Sequence, residues 1–328
     1  MKVALNLDQV AILKPVPGEP AALDTLAQLS KNPEENLLKK AKRKALTVFL
    51  STKLIELNNT NIQAYRNMYY CNSILNQQEQ ELKTAYCKNR FCLVCNAIKT
   101  ANLINGYLPE LKKMVDPHFL TLTIKAVGDT RLNAAVNKMQ KDFRNINQKL
   151  TKFHKIQIHA IRKLECNHNE EKDTYNPHFH VIIDGRQRAE MLLNMWLKLN
   201  ERSKIQAQDI RPADHDSMVE LFKYATKIVS KQGIINPKAL DVIYSAFKRR
   251  RVVQPIGIKK FVDEDKREKT VYPQLVNNTT TWEWNDANYD WFCQSTGESL
   301  TGYIPCKEVK AVFERSEIAK AENAELKE

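Results

Sequence analysis

The segment PHFHVII, residues 177–183, decides the fold and the chemistry of this chain. Side chains alternate between the two faces of a strand, so His178 and His180 share one face while Phe179 lies on the other. The branched apolar residues that follow are typical of a strand. The sequence therefore predicts a strand that presents two imidazoles on the same side, an arrangement suited to holding a ligand between them.

Two further strands are predicted on the N-terminal side of this segment. FLTLTIK at 119–125 alternates threonine with aliphatic residues, and KIQIHAIRKLEC at 155–166 has a similar character. Helical patterns occupy 129–153, 186–200 and 215–231. Because the strands are near in sequence and partly polar on one face, we predict an α+β fold, an antiparallel sheet with helices packed on one side.

The regions outside these strands differ in composition. Residues 1–35 contain four prolines and predict a flexible leader, and 36–115 read as a helical, basic and cysteine-rich segment. The strands place the functional domain at 116–235, followed by a basic and aromatic extension at 236–328. The aromatic residues of this extension can either stack on bases or form a small hydrophobic core; they are Trp282, Trp284, Tyr289, Trp291 and Phe292.

The composition limits the classes of partner and compartment. The 328 residues include 51 Lys and Arg against 38 Asp and Glu, a net charge of +13 that favours a nucleic acid or an anionic membrane surface, although it also serves solubility. Only 8 glycines disfavour an architecture with several nucleotide-binding glycine loops. The sequence has neither an apolar run of membrane-spanning length nor a signal-peptide core, so we predict a cytoplasmic protein. Its cysteines are then expected to be thiols or metal ligands.

The cysteines are clustered. CKNRFCLVC supplies Cys87, Cys92 and Cys95, and Cys71 lies sixteen residues before the first of them. A Cys-x2-Cys step lets two thiolates reach one ion across a tight turn. With Cys71 as the fourth ligand, we predict a closed, tetrahedral, structural zinc site. Buried free thiols and a redox Cys-x2-Cys are the alternatives.

The paired histidines predict a second, open metal site. Two imidazoles on one strand face supply two of three ligands, and a carboxylate from a neighbouring strand completes the set. Glu165, at the end of the preceding strand, is our candidate. Such a site accepts Mn²⁺ or Mg²⁺ and leaves positions open for a substrate oxygen. His-x-His also occurs in zinc hydrolases and structural sites, and other histidines remain alternative ligands: His118, His154, His159 and His168.

SMVELFKYATKIVSK at 217–231 carries a polar stripe beside its apolar face. Glu220, Tyr224 and Lys227 follow each other at i, i+4 and i+7 and lie on one line along a helix. A tyrosine placed between a carboxylate and a lysine can serve as a nucleophile, provided that a nearby cation or base helps it to ionise. Taken alone, the stretch is more typical of an ordinary solvated helix face.

In this order, FLTLTIK, NPHFHVII and ELFKYATKIVSK resemble the three motifs of the rolling-circle replication initiators, the HUH endonucleases, and in particular the plasmid Rep proteins with a single catalytic tyrosine. The cysteine-rich stretch RNMYYC…AYCKNRFCLVC is similar to one found upstream in that family, although Val94 stands where the family often has proline. The resemblance covers residues 60–235 and is specific because four motifs occur in the family's order.

The resemblance implies a palm-like antiparallel sheet with flanking helices and assigns roles to single residues. The divalent metal ligands would be His178, His180 and Glu165. Tyr224 would be the nucleophile, and the glutamate one turn before it would activate water for the closing step. Glu220 matches that place. Lys227 would neutralise phosphate charge or lower the pKa of the phenol.

The resemblance also implies a function. The chain would initiate plasmid rolling-circle replication by nicking one strand at the origin, with Mg²⁺ or Mn²⁺ as cofactor, a structural Zn²⁺ and a 5′-phosphotyrosine intermediate. Its partners would be single-stranded or hairpin origin DNA, followed by a host helicase and polymerase, with no membrane. An HUH transposase or relaxase is an alternative, although the lone Tyr224 follows the histidines, unlike the relaxase order. A zinc-stabilised DNA-binding regulator and a metallohydrolase acting on small substrates are the others.

Overall fold

A computed structural model describes residues 32–222, 235–261, 272, 275, 278–307 and 309–315. The chain divides into two compact units. The described residues of the first unit lie in 32–99, 235–238 and 272–315, and those of the second lie in 100–222 and 239–261. Residues 1–31 of the predicted leader lie outside the described residues, and the domain limits expected from the sequence stay predictions.

The elements are numbered in chain order. The helices are α1 (Pro33–Ile55), α2 (Ile62–Tyr69), α3 (Leu93–Leu111), α4 (Asp129–Lys152), α5 (Arg186–Leu199), α6 (His215–Glu220) and α7 (Pro237–Phe247). A short 3₁₀ helix lies at Ile205–Ala207. The strands are β1 (Ile74–Glu79), β2 (Glu81–Lys83), β3 (Pro117–Thr123), β4 (Ala160–Asn169), β5 (Thr174–Asp184), β6 (Asp209–Pro212), β7 (Val253–Ile256), β8 (Asn278–Asn285) and β9 (Asp290–Cys293).

The second unit is built on an antiparallel sheet with the strand order β6-β3-β5-β4-β7. The strand β5, which contains both histidines, is central, and β4 joins it through a tight hairpin. In the register, Glu165 is opposite His178, and Lys163 is opposite His180. On the other side of β5, Thr121 is opposite His180. The pairing therefore gathers polar side chains from three neighbouring strands on one face.

The opposite face of this sheet is the apolar core of the second unit. Phe179 is fully buried there. Its ring packs edge-on against Phe143 of α4, with ring centroids 5.6 Å apart, and against Trp196 of α5 at 5.8 Å. The Trp196 indole N–H donates to the Thr123 carbonyl at 2.9 Å, which attaches α5 to β3. The sheet thus carries the histidines on one face and is covered by two helices on the other.

The first unit is built on a second antiparallel sheet, with the order β2-β1-β8-β9. Helix α1 begins at a proline behind Asn32, whose side chain accepts a hydrogen bond from the Glu35 N–H at 3.2 Å. The core between α1 and the sheet contains Trp282 and Trp291. Of the two roles open to the extension's aromatic residues, the structure therefore assigns these two to a hydrophobic core.

Most elements predicted from periodicity are present, and the predicted α+β class with an antiparallel sheet is confirmed. The helices of the segment predicted at 36–115 are present, but a hairpin at 74–83 that the sequence did not predict interrupts them. Its strand β1 pairs with β8, some two hundred residues further along the chain. Backbone pairing with β8 and with the neighbouring β2 therefore stabilises β1. Strand β4 begins at Ala160, later than the predicted 155.

In the part of the chain that the structure describes, none of the helices has the length and apolar character that crossing a bilayer requires.

Candidate functional site

One carboxylate and two imidazoles converge on the polar face of the five-stranded sheet. The Glu165 Oε2 atom lies 3.6 Å from Nε2 of His178 and 3.7 Å from Nε2 of His180. The two imidazole rings are 4.8 Å apart and nearly perpendicular. Their convergence follows from the strand register, because the Cα atoms of Glu165 and His178 are direct cross-strand partners.

A contact to Nδ1 fixes the ring orientation of each histidine. The Nδ1 atom of His178 lies 3.0 Å from the Asn176 carbonyl, so this nitrogen carries the proton and donates to the oxygen. The Nδ1 atom of His180 lies 3.2 Å from the Thr121 hydroxyl. Both Nε2 atoms therefore face the carboxylate, and such outer hydrogen bonds are what orient metal-binding histidines.

The protonation states also suit a cation. Burial lowers the pKa of His180 to about 4, so its ring is neutral at neutral pH. Burial alone raises the pKa of Glu165, but the ammonium of Lys163 and the His178 ring outweigh this effect and bring the pKa to about 2. The Lys163 Nζ atom lies 2.6 Å from Glu165 Oε1. The site thus presents one ionised carboxylate and a neutral imidazole at neutral pH.

These atoms fit a divalent metal. The ligand atoms of Glu165, His178 and His180 all lie within 4.8 Å of one another. An ion about 2.1 Å from each donor spans separations of up to about 4.2 Å, so the two imidazole–carboxylate distances are compatible with a shared ion. Two nitrogens and one oxygen form the mixed donor set that first-row divalent ions accept.

The alternative histidine ligands are not part of this cluster. Among the described residues, the groups of three or more metal-binding side chains are Glu165 with the two histidines and the four clustered cysteines. His118 points its Nδ1 at the Asp116 carbonyl, 3.0 Å away. His168 pairs with Asp173 at 2.8 Å in the β4–β5 hairpin. The two remaining candidates, His154 and His159, belong to neither of these groups.

Of the helix predicted at 215–231, the structure describes residues 215–222, and within them the helix α6 ends at Glu220. The α6 N-terminus is capped by Asp214, whose carboxylate accepts from the Ser217 N–H at 2.8 Å. Glu220 is the last residue of α6 and is exposed. Tyr224 and Lys227 lie outside the described residues.

The four clustered cysteines form a second group. The Cys71 Sγ lies 3.5 Å from the Cys95 Sγ, and the Cys87 Sγ lies 3.7 Å from the same atom. A tetrahedral ion with Zn–S bonds of about 2.3 Å needs S–S separations of about 3.8 Å. Cys92 completes the group and is fully buried. The structure thus brings together all four predicted ligands in an arrangement that can hold a metal and is compatible with zinc.

A buried lysine of α1, Lys44, lies near this cysteine group. The Lys44 Nζ donates to the Tyr69 carbonyl at 2.6 Å and to the Ser73 hydroxyl at 2.8 Å. Burial lowers the pKa of Lys44 to about 8, while the nearby Cys71 opposes that shift. Hydrogen bonds, first that from Cys87, lower the pKa of the Cys71 thiol. A cation beside thiolates offsets part of their negative charge.

Sequence reasoning missed Lys163. The signal was present in RKLEC at 162–166, because alternation places Lys163 and Glu165 on the same strand face. Lysine side chains are mostly exposed in proteins, yet Lys163 is only 1% exposed.

The comparisons with known proteins agree on one family. The profile of a family described as "Replication protein" matches residues 78–300. The chain is 31% identical to "Protein rep" of Staphylococcus aureus over 183 residues, 48% of this chain and 79% of that protein. It is 26% identical to "Protein rep" of Streptococcus pneumoniae serotype 2 (strain D39 / NCTC 7466), covering 53% of this chain and 61% of that one. A "Protein rep" of Bacillus sp is 27% identical, with 55% of this chain and 71% of the relative covered. No solved structure is a significant match.

Proposed function

We infer that the chain, which belongs to this replication-protein family, has a role in the initiation of plasmid replication. From that premise we propose that it nicks one DNA strand at the plasmid origin in a metal-dependent, site-specific reaction. The observation that supports the proposal best is the convergence of Glu165, His178 and His180 on one sheet face, with their Nε2 and Oε2 atoms 3.6–3.7 Å apart. A DNA-binding regulator without catalysis has no need of such a set.

The ligand residues act by holding charge in place. A divalent ion at this site would supply Lewis-acid polarisation of a phosphodiester oxygen. His178 and His180 contribute nitrogen lone pairs, because their Nδ1 atoms are turned toward Asn176 and Thr121. Glu165 contributes one oxygen, and Lys163 occupies the other at 2.6 Å. The carboxylate is therefore held in a single orientation.

Tyr224 is the proposed nucleophile. Its phenolate attacks the scissile phosphorus in line and the P–O3′ bond breaks. The 5′-phosphate stays bonded to the tyrosine, and the leaving 3′ oxygen takes up a proton from water to give the 3′-hydroxyl that a polymerase extends. The phenol ordinarily ionises near pH 10, so it needs a cation close by. Lys227, three residues after Tyr224 in the sequence, is proposed to neutralise charge on the phosphate or to lower the pKa of the phenol.

Glu220 is proposed to end the reaction. After one round of replication, its carboxylate activates a water molecule at the regenerated origin, so that the protein is released and not transferred to a second tyrosine. Glu220 lies four residues before Tyr224 in the sequence, the spacing at which the resemblance places this glutamate. Its exposure is compatible with access to water.

The proposed substrate is single-stranded or hairpin origin DNA, and a host helicase and polymerase continue from the nick. A net charge of +13 favours binding of the phosphate backbone, with an affinity that falls as salt rises. The cysteine group is proposed to hold a structural Zn²⁺ that stabilises the first unit.

The experiment is incubation of the purified protein with a supercoiled plasmid that carries its own origin. With Mn²⁺ or Mg²⁺ we expect conversion to an open circle with a protease-sensitive protein on one strand. With EDTA we expect no conversion. A plasmid without the origin is the matched control, and nicking that is equal on both plasmids would contradict the proposal.

A further inference from the structure

Arg162 is a buried cation on the side of the sheet that faces away from the histidines. Its side chain is 3% exposed. The guanidinium lies over Phe179 at 4.2 Å and Phe143 at 4.8 Å, and it donates to Gln254 Oε1 at 2.7 Å. Within the described part of the chain, its Nε atom has no hydrogen-bond partner. A buried charge of this kind is costly unless it is compensated.

Among the described residues, the charged group that acts on the pKa of Arg162 is another cation. Burial, and then the neighbouring Arg144, lower the pKa of Arg162 to about 10. Arg144 belongs to α4 and is exposed. Lys141, one turn earlier on the same helix, is exposed as well. Asp142 of the same helix is engaged elsewhere, in an ion pair with Lys138 at 2.6 Å.

A basic segment lies against the same helix. Residues 248–251 read KRRR, and 242–260 contain no Asp or Glu. Arg250 donates to the side-chain oxygens of Asn133 and Asn137, at 2.6 Å in both cases. Lys141 lies one turn after Asn137 and Arg144 lies two turns after it. The 248–251 segment is therefore adjacent to the exposed Lys141 and Arg144 of α4. We call Lys141, Arg144 and 248–251, with Arg162 beneath them, the α4 cationic surface.

We propose that the α4 cationic surface binds the phosphate backbone of double-stranded DNA. This inference rests on the proposed function, since the duplex would be the origin DNA that flanks the nicked strand. Charge complementarity supports this occupant, because Arg and Lys supply most backbone contacts to duplex DNA. The surface has no aromatic side chain among its named residues on which an unpaired base can stack, so it does not match a single-strand platform.

The placement separates two tasks. The metal-binding side chains lie on one face of the five-stranded sheet, and Arg162 and α4 lie on the other, because Phe179 and His180 alternate along β5. A strand at the metal site and a duplex at the α4 cationic surface therefore do not compete. Phosphate contacts there would fix the position of the protein on the origin without reading its sequence.

The test compares two triple variants of the full chain that lower the net charge equally. The first carries Lys141→Gln, Arg144→Gln and Arg251→Gln, and the control carries Lys198→Gln, Arg202→Gln and Lys204→Gln. All six side chains are exposed. Fluorescence anisotropy measures affinity for a 25-base-pair duplex at several salt concentrations, and a second assay measures nicking of a single-stranded origin oligonucleotide.

We expect the first variant to lose at least about tenfold in duplex affinity at 100 mM salt, with a salt slope about two to three units shallower. The control should change less than about twofold, and both should nick the oligonucleotide like the parent. An equal loss of duplex affinity in both variants would overturn the inference. Unchanged duplex affinity in the first variant would also overturn it, and is the result expected if the surface binds an acidic protein. Failure of the parent to nick, together with the expected duplex loss, would refute the proposed function and leave this inference standing.

Discussion

Lys163 and Glu165 form a buried ion pair in which the two carboxylate oxygens of Glu165 have different partners. The Lys163 Nζ lies 2.6 Å from Oε1 of Glu165, while Oε2 of the same group faces the two imidazoles. The lysine is 1% exposed. One oxygen is therefore fixed by an ammonium and the other is directed toward the proposed metal. The pair keeps the ligand ionised within a largely buried site.

The Lys163 pair predicts a pH-dependent contribution to stability. Lys163→Met should lower the free energy of unfolding at pH 7 by about 3 kcal/mol, because it removes one partner of a buried pair. Glu165 has a folded pKa near 2, below its ordinary 4.5. Its stabilising effect is therefore complete above pH 4.5 and is lost as pH falls toward 2. Urea titrations at pH 7, 5 and 3 should show the difference between parent and variant shrinking with acidity.

Lys198→Met on the exposed surface of α5 is the control and should change the free energy of unfolding by less than about 0.5 kcal/mol at each pH. A difference between parent and Lys163→Met that stays constant from pH 7 to pH 3 would show that Glu165 is not the group stabilised by Lys163.

The histidine pair predicts loss of metal and of nicking together. His178→Ala and His180→Ala should each weaken Mn²⁺ binding by at least about tenfold and slow nicking by at least about 100-fold, since each removes a ligand and not an outer contact. Calorimetry and a gel assay measure the two effects. His168→Ala, on the other sheet face with Asp173 as its partner, is the matched control. Normal Mn²⁺ binding in both ligand variants would rule out this metal site.

The cysteine group predicts a structural metal. Cys92→Ser should reduce bound zinc from about one ion per chain and lower the melting temperature, because a closed tetrahedral site contributes directly to folding. Elemental analysis and thermal scans provide the measurements. Cys306→Ser, an exposed cysteine outside the group, should change neither quantity. Full zinc content and an unchanged melting temperature in Cys92→Ser would argue for free thiols.

Trp291 distinguishes a core from a DNA platform. It is fully buried, and its indole N–H donates to the Asn72 carbonyl at 2.8 Å. Trp291→Ala should cost about 3–5 kcal/mol of unfolding free energy, while single-strand affinity of the folded protein stays unchanged. Tyr70→Ala, at a side chain that is 68% exposed, should have little effect on stability. Lost DNA binding with normal stability in Trp291→Ala would favour base stacking.

The alternation of residues along the chain predicted those elements that depend on neighbouring residues in the sequence. The period-2 alternation around His178 gave both the strand and the shared face, and a short hairpin to Glu165 made antiparallel pairing the simplest connection. The sequence could not predict β1, because one of its two partner strands, β8, lies far along the chain and its local partner β2 is only three residues long. It could not predict the burial of Lys163 or Arg162 either, since a charged residue in a strand shows its surroundings only after the neighbouring strands and helices are placed.

The most direct test of the proposed nicking reaction is detection of the covalent bond between Tyr224 and DNA. A single-stranded origin oligonucleotide, labelled on the 3′ side of the nick, is incubated with the protein and Mn²⁺, and the linked peptide is identified by mass spectrometry. We expect a 5′-phosphotyrosine on Tyr224. It should be absent in Tyr224→Phe, although this variant should still bind the oligonucleotide. Strand cleavage of undiminished rate in Tyr224→Phe, or a link to another residue, would contradict the proposed reaction.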